Sequence, residues 1–181
     1  MKYSINRIKE QIDNDINHEY LFFWGHTHKK DSVIDNSCFS QWFPSVFIVN
    51  GIKYSTAEHW MMAKKAALFG DEEIMNEILR TEKPAVAKEL GREVKNFDAA
   101  KWANASYAIV AEGNFYKFSQ NEELKKFILY TGNKILVEAS PNDTIRGIGL
   151  SKDEVEAANP FKWKGTNLLG FALMEVRDKL K

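Results

Sequence analysis

The dipeptide Asn50-Gly51 lies between two β-prone runs, and it limits how this chain can fold more than any other feature. Both of its residues tolerate a positive φ, so it predicts a tight hairpin turn between strands at residues 46–49 and 52–54. Ser55-Thr56-Ala57-Glu58 follows at once and matches the capping-box pattern. A helix is therefore expected to begin there and to end before Gly70, close to the hairpin.

The remainder of the chain is predicted to be mostly helical. Isoleucines at positions 5, 8, 12 and 16 recur at helical spacing, which indicates an amphipathic helix within an N-terminal segment 1–19, ahead of a domain at 20–181. Further helices are expected over residues 71–80, 84–90, 98–118, 121–130 and 167–180. Residues 20–24 and 134–139 are expected to be extended. This order predicts a single helix-dominated α+β domain with a small β-sheet.

Composition excludes several classes of protein. Lys plus Arg and Asp plus Glu both number 25, so the net charge provides no long-range attraction to nucleic acid or acidic lipid. Cys38 is the only cysteine, which excludes an intramolecular disulfide and a cysteine-based zinc cage. No apolar run approaches the roughly 20 residues that cross a bilayer. We expect a cytoplasmic protein with no membrane partner.

Common catalytic and cofactor motifs are missing. The sequence has no phosphate-binding P-loop, no dinucleotide fingerprint, no zinc-protease motif and no nucleophile elbow. His26 and His28 are two residues apart in a predicted polar loop, but no matching carboxylate cluster accompanies them. We therefore predict neither a metal nor a cofactor.

Glu58 and Lys65 are candidates for chemistry on one helix. They share a helical face with Met61 and Met62, since offsets of three, four and seven are neighbours. A carboxylate among apolar side chains can act as an acid or base near neutral pH. The alternative is that Glu58 only completes the capping box and that Lys65 is a solvated helix lysine.

The turn-rich loop at residues 140–149 is a second candidate. It carries Asp143, Arg146, Gly147 and Gly149. Glycines let backbone N–H groups approach phosphate or sugar oxygens, and arginine binds phosphate through two hydrogen bonds. The alternative is a plain surface turn in which Asp143 forms an Asx-turn.

Aromatic residues are clustered beside polar ones in two segments outside the predicted core helices, at residues 22–24 and 39–43. Such rings hold planar ligands in many binding sites, and they also fill the cores of small α+β domains.

A set of segments in a fixed order resembles the NADAR superfamily, and within it the YbiA-like branch. The segments are FWG (23–25), CFSQWFP (38–44), GIKYSTAEH (51–59), LGR (90–92), KFSQN (117–121), TG (131–132), LVEAS (136–140), GIG (147–149) and WKGTNLLGFALMEVR (163–177), with Lys65 and Asp143. The resemblance covers about residues 20–180. It implies the YbiA-like α+β fold.

The resemblance also implies an activity. YbiA-like proteins hydrolyse the N-glycosidic bond of phosphoribosylamino-pyrimidine intermediates of riboflavin synthesis, and other NADAR proteins remove ADP-ribose from guanine in nucleic acid. The expected partner is thus a small phosphoribosyl or ADP-ribosyl substrate, with nucleic acid a partner only in the second case. A non-catalytic module that binds ADP-ribose or a related nucleotide is the alternative of another class.

Residue roles follow from the same resemblance. It implies catalytic roles for Glu58, Lys65 and Asp143. Glu58 would stabilise the cationic ribose, activate water or protonate the leaving group, and Lys65 could instead attack C1 and form a Schiff base. The expected substrate-binding residues are Phe23, Trp24, Gly25, Ser40, Gln41, Trp42, His59, Arg92, Lys117, Arg146, Gly147 and Asn167. Arg92 and Lys117 are expected either to bind the phosphate or to be solvated side chains. Members of the family usually have tryptophan where this chain has Arg146, which indicates a different substrate range or reduced activity.

Overall fold

A computed structural model describes residues 1–27 and 34–181 of the chain. Residues 28–31 of the predicted polar loop, and with them His28 of the His26–His28 pair, fall outside the described residues. The helices and strands are α1 (Ile5–Asp13), β1 (Tyr20–Phe23), β2 (Phe47–Val49), β3 (Ile52–Tyr54), α2 (Ala57–Leu68), α3 (Glu72–Arg80), α4 (Pro84–Arg92), α5 (Ala99–Ser119), α6 (Glu122–Tyr130), β4 (Ile135–Glu138) and α7 (Leu168–Leu180). Short 3-10 turns occupy Asn36–Phe39, Val155–Ala158 and Pro160–Lys162.

The strands form two pairs within the described parts of the chain. β2 and β3 are the predicted hairpin, with Asn50 and Gly51 at φ 51° and 79°. β1 pairs in parallel with β4, and Phe23 lies opposite Glu138. The predicted α+β class is confirmed, but the small sheet is two separate strand pairs.

Two predicted helix boundaries are wrong. α1 ends at Asp13, because Asp15 adopts φ 60°, and Ile16 is therefore an exposed residue beyond the helix. α4 continues through Gly91 to Arg92. A Cβ at Gly91 would lie 2.1 Å from Met62 Sδ, so this glycine allows α4 to pack closely on α2 and does not end the helix.

α2 lies at the centre of the fold. It packs against α3, α4 and α5, and α5 packs in turn against α7, which covers β4. Trp60 is 1% exposed, and its indole N–H donates to the Ile109 carbonyl on α5 at 2.9 Å. A helix surrounded in this way can hold a polar side chain out of water at its first turn.

The N-terminal residues contact α7. The Lys2 backbone N–H donates to Glu175 Oε1 at 2.6 Å, and the Tyr3 hydroxyl donates to Asp178 Oδ2 at 2.7 Å. The division of the chain into segments 1–19 and 20–181 stays a prediction. Across residues 1–27 and 34–181, the helices are too short or too polar to span a membrane.

Candidate active site

A cleft opens where β1 and β4 end side by side. Parallel strands place their carboxyl ends at the same edge of a sheet, so the segments that leave these two strands meet there. The segment at residues 40–42 and the first turn of α2 complete the walls. The cleft has a volume of about 390 Å³ and is lined by Trp24, Gly25, His26, Ser40, Gln41, Trp42, Glu58, Lys88, Glu138, Ser140, Asn142, Asp143 and Arg146.

Glu58 is a buried carboxyl group in this cleft. It is 2% exposed, and its Oε1 atom has no hydrogen-bond partner in the described residues. Burial raises the pKa of Glu58, whereas Arg146, Lys88 and a hydrogen bond from Trp42 oppose that rise. A carboxyl group balanced in this way can act as an acid or a base.

The capping-box interpretation of Glu58 is wrong. Thr56 is the N-cap of α2, and its hydroxyl accepts the His59 backbone N–H. Glu58 is therefore the second helical residue, and its own N–H donates to the Gln41 carbonyl at 3.0 Å. Its side chain has no role in the cap.

Glu138 is a second carboxyl group in this cleft, partly buried, which the sequence did not single out. It is the last residue of β4, and its N–H donates to Asn167 Oδ1 at 3.0 Å. Burial and the nearby Asp143 carboxylate raise the pKa of Glu138 to about 7, with a further contribution from Glu58 and opposition from Arg146 and Lys88. Its Oε2 atom is buried without a partner in the described residues. A carboxylate at the end of a predicted strand, before a turn-rich loop, was the available signal.

Lys88 is the cleft cation that sequence reasoning missed. It extends from α4, and its Nζ lies 5.6 Å from the centre of the Trp42 ring. Its charge lowers the pKa of both carboxyl groups. No local signal marks it, because only the packing of α4 against α2 brings it to the cleft.

The loop at residues 140–149 forms the predicted Asx-turn, and its binding of phosphate or sugar stays a prediction. Asp143 Oδ1 accepts the N–H groups of Ile145 at 2.9 Å and Arg146 at 2.7 Å, which is the predicted Asx-turn. The Arg146 guanidinium also lies 3.7 Å from Asp143 Oδ2, and both side chains line the cleft. A Cβ at Gly147 would lie 2.8 Å from the Glu138 carbonyl, so glycine lets the loop approach β4.

Lys65 and His59 lie outside the cleft lining. Lys65 Nζ donates to the Gly91 carbonyl at 2.7 Å and lies 4.2 Å from the centre of the Phe97 ring. Burial, and to a lesser extent the charge of Arg146, lower the pKa of Lys65. His59 Nδ1 is 2.8 Å from the Thr56 hydroxyl, which places this ring beneath the start of α2.

Four other predicted contacts support the cleft from outside or lie apart from it. Lys117 is fully buried, donates to the Ser40 carbonyl at 2.8 Å, and has its pKa lowered by burial to about 7. Asn167 is also fully buried, and its Nδ2 donates to the Leu136 carbonyl at 2.9 Å. Phe23 packs in the core against Phe39, and Arg92 is exposed at the end of α4.

The described residues contain no group of three or more His, Cys, Asp or Glu side chains that could hold a metal ion.

The family model described as a NADAR domain matches residues 22–181. N-glycosidase R617 of Acanthamoeba polyphaga mimivirus is 45% identical over 166 residues, which cover 89% of this chain and 96% of that protein. N-glycosidase YbiA of Escherichia coli strain K12 is 32% identical over 150 residues, 83% of each. The NMR structure of E. coli YbiA superimposes with a TM-score of 0.72 at 28% identity, and the match covers 91% of this chain and 86% of that one.

Proposed function

The chain belongs to the NADAR domain family and is an N-glycosidase, a hydrolase of N-glycosyl compounds, and we propose that its substrate is a phosphoribosylamino-pyrimidine. The bond to be broken joins C1 of the ribose to nitrogen. The observation that supports this proposal best is a pair of carboxyl groups in one cleft, Glu58 and Glu138, each with a buried oxygen that has no hydrogen-bond partner among the described residues. Cations and aromatic rings line the same cleft.

The two carboxyl groups suit the two halves of the reaction. The transition state carries positive charge on the ribose, while the leaving nitrogen gains negative charge. Burial raises the pKa of Glu58, and two cations and a Trp42 hydrogen bond oppose that rise; in its carboxylate form Glu58 takes a proton from water as the water oxygen bonds to C1. Glu138, with a pKa of about 7, is partly protonated near neutral pH and gives its proton to the nitrogen as the C1–N bond breaks. Solvent then returns both groups to their starting states.

The cleft also offers separate places for the phosphate and the base. Lys88 and Arg146 are the cations of the cleft lining. We assign the phosphate to Lys88 instead of to Arg92 and Lys117, which lie elsewhere, and the base to the side of Arg146, whose guanidinium can stack on a planar ring. Trp24 is 60% exposed at the rim, and its ring is available to stack on a planar base.

A covalent route through lysine is less consistent with the geometry. Lys65 Nζ is held by the Gly91 carbonyl and lies outside the cleft lining, although burial lowers its pKa. Borohydride reduction during turnover, followed by peptide mass spectrometry, tests this directly. We expect no ribosyl adduct on the Lys65 peptide. An adduct there would replace direct water attack, and one on the Lys88 peptide would place the covalent step on α4.

The proposed substrate can be tested with a panel of N-ribosides that includes phosphoribosylaminopyrimidines and ADP-ribosylated guanine. We expect release of ribose phosphate from the pyrimidines. Glu58→Gln should keep the fold, because Thr56 caps α2, while turnover falls by roughly a hundredfold or more. Glu89→Gln, exposed on α4, is the matched control and should retain full turnover.

Each outcome has a clear meaning. Release of ADP-ribose from guanine, with no cleavage of the pyrimidines, would replace the proposed substrate by the nucleic-acid one. Lack of turnover on the whole panel would contradict the proposed function. Near-normal turnover by a folded Glu58→Gln protein would remove Glu58 from the mechanism.

A further inference from the structure

Gln41 links three parts of the active site. Its backbone carbonyl accepts the N–H of Glu58 at 3.0 Å, and its side-chain oxygen accepts a hydrogen bond from Asn114 on α5 at 2.9 Å. Gln41 also lines the cleft, although it is only 5% exposed. Its Nε2 atom is buried and has no hydrogen-bond partner among the described residues.

The orientation of the Gln41 amide is determined by Asn114. Asn114 Nδ2 lies 2.8 Å from the Val110 carbonyl, and a backbone carbonyl can only accept hydrogen bonds. The atom beside it must be the amide nitrogen, whose second hydrogen reaches Gln41 Oε1. Gln41 therefore presents its oxygen to α5, and its NH₂ group is directed away from Asn114.

A second contact from α5 fixes the backbone of the same segment. Lys117 lies three residues after Asn114, on the same face of the helix, and its Nζ donates to the Ser40 carbonyl at 2.8 Å. Both Asn114 and Lys117 are fully buried. A wall held by two buried polar side chains has little freedom to turn its donor elsewhere.

A buried N–H group without a hydrogen-bond partner lowers the stability of the folded protein by about 1–3 kcal/mol. Such a group in a binding cleft is explained if the bound ligand supplies the acceptor. We infer that Asn114 is a positioning residue that holds the Gln41 amide so that its NH₂ group donates to an oxygen atom of the substrate, next to Glu58. The inference rests on the proposed function. Ribose hydroxyls and base carbonyls can both supply that oxygen.

The first test uses a pair of positions. Asn114→Leu removes the amide donor at similar volume, so nothing holds the Gln41 oxygen toward α5 and the Gln41 NH₂ group is no longer fixed toward the cleft. Gln41→Met removes the donor at similar length. Each change should lower kcat/KM for the phosphoribosylaminopyrimidine by about tenfold, the effect of one lost hydrogen bond. Because Asn114 acts through Gln41, the kcat/KM of the double variant should be no lower than that of the less active single variant.

The second test leaves Asn114 unchanged. In Gln41→Glu, one carboxyl oxygen can still accept from Asn114, and the other donates to substrate only when it is protonated. The ratio of its kcat/KM to that of the wild type should therefore rise about tenfold or more as the pH falls from 8 to 5. Thermal unfolding of every variant separates this effect from loss of the folded state.

Substrate analogues identify the acceptor. If a ribose hydroxyl accepts from Gln41, then Gln41→Met should have no further effect on the 2′-deoxy or the 3′-deoxy analogue that lacks it. If the Gln41→Met effect persists on both analogues, the acceptor is on the base. Additive losses in the double variant, or a flat pH ratio for Gln41→Glu, would overturn the inference while wild-type turnover still supported the proposed function. Absence of wild-type turnover would instead contradict the proposed function.

Discussion

Glu58 and Glu138 illustrate at the scale of single residues how this protein places reactive groups. Burial disfavours the charged form of each carboxyl group, the Asp143 carboxylate adds to this effect at both, and Glu58 raises the pKa of Glu138 further. Lys88 and Arg146 act in the opposite direction, but desolvation has the larger effect in both cases. The pair is therefore expected to hold a proton at a pH where exposed carboxyl groups have lost theirs.

Glu138 should make the stability of the protein depend on pH. Its pKa is about 7 in the folded protein, above the ordinary 4.5, so its contribution to stability is complete below about pH 4.5 and is lost as the pH rises through 7. Glu138→Gln does not titrate. Wild type should therefore lose stability relative to the Glu138→Gln variant as the pH rises. The free energy of unfolding of the variant minus that of wild type should increase by roughly 1–3 kcal/mol between pH 5 and pH 8. Denaturant unfolding at several pH values measures this, and a constant difference would contradict it.

Arg146 influences both carboxyl groups. It stands where the family resemblance leads us to expect tryptophan. Arg146→Trp should raise turnover of the phosphoribosylaminopyrimidine, because a ring is restored beside the base. The loss of positive charge should also move the acidic limb of the pH–rate profile to higher pH, since Arg146 lowers the pKa of Glu58 and Glu138.

Arg146→Gln is the control that separates the two effects of that substitution. It removes the charge without adding a ring, so we expect it to shift the pH profile and not to raise turnover. Unchanged rates for both variants on every substrate would show that position 146 does not contact the substrate.

At the scale of helices and strands, close packing around α2 determines where the cleft residues stand. Gly91 on α4 and Gly113 on α5 let their helices approach α2, since a Cβ would lie 2.1 Å from Met62 Sδ in one case and 2.3 Å from Trp60 Cδ1 in the other. Close approach of α4 brings Lys88 to the cleft, and close approach of α5 brings Asn114 to Gln41. The glycines thus act on function through helix positions.

Gly113→Ala gives a sharp test of this packing. Helix propensity alone predicts a gain of about 1 kcal/mol, whereas overpacking against a buried indole predicts a loss of about 1–3 kcal/mol. We expect the loss to dominate, because the Trp60 N–H is bonded to Ile109 and the ring cannot move freely. Ala103 is exposed on the same helix, so Ala103→Gly measures the difference in helix propensity between alanine and glycine without any change in core packing. A more stable Gly113→Ala protein would show that α2 and α5 are less tightly packed.

At the scale of the whole molecule, the cleft is assembled from distant parts of the chain. The parallel pairing of β1 with β4 joins residues 20–23 to residues 135–138, and α2 inserts between them in sequence. α1 lies elsewhere, against the 3-10 turn Pro160–Lys162. Stability and activity should therefore be separable at the N-terminus.

Ile8→Ala tests that separation. Ile8 is 2% exposed, and its truncation should lower the free energy of unfolding by about 2–4 kcal/mol through lost burial and the cavity left behind. The kcat should stay unchanged, because α1 packs against the 3-10 turn Pro160–Lys162 and contributes no residue to the described cleft lining. Ile16→Ala is the matched control, since Ile16 is 47% exposed and its truncation should change stability by less than about 0.5 kcal/mol. A loss of kcat in folded Ile8→Ala protein would link α1 to the site.

Much of the fold and part of the site were determined by the sequence itself. The Asn50-Gly51 turn, the helix start before Glu58 and the Asx-turn at Asp143 depend on neighbours within a few residues, so local patterns predicted them. The family resemblance added Trp24, Gln41, Trp42 and Arg146, all of which line the cleft.

Tertiary structure alone decided which of the remaining candidates meet. Lys65 shares a helical face with Glu58 in the sequence pattern, yet α4 and Phe97 hold its ammonium group away from the cleft. No local sequence pattern identified Lys88 or Glu138 as a cleft residue. The position of Lys88 depends on how α4 packs on α2, and that of Glu138 on the pairing of β4 with β1. Periodicity specifies the face of a helix on which a side chain lies, whereas long-range packing specifies what that face meets and how much water remains there.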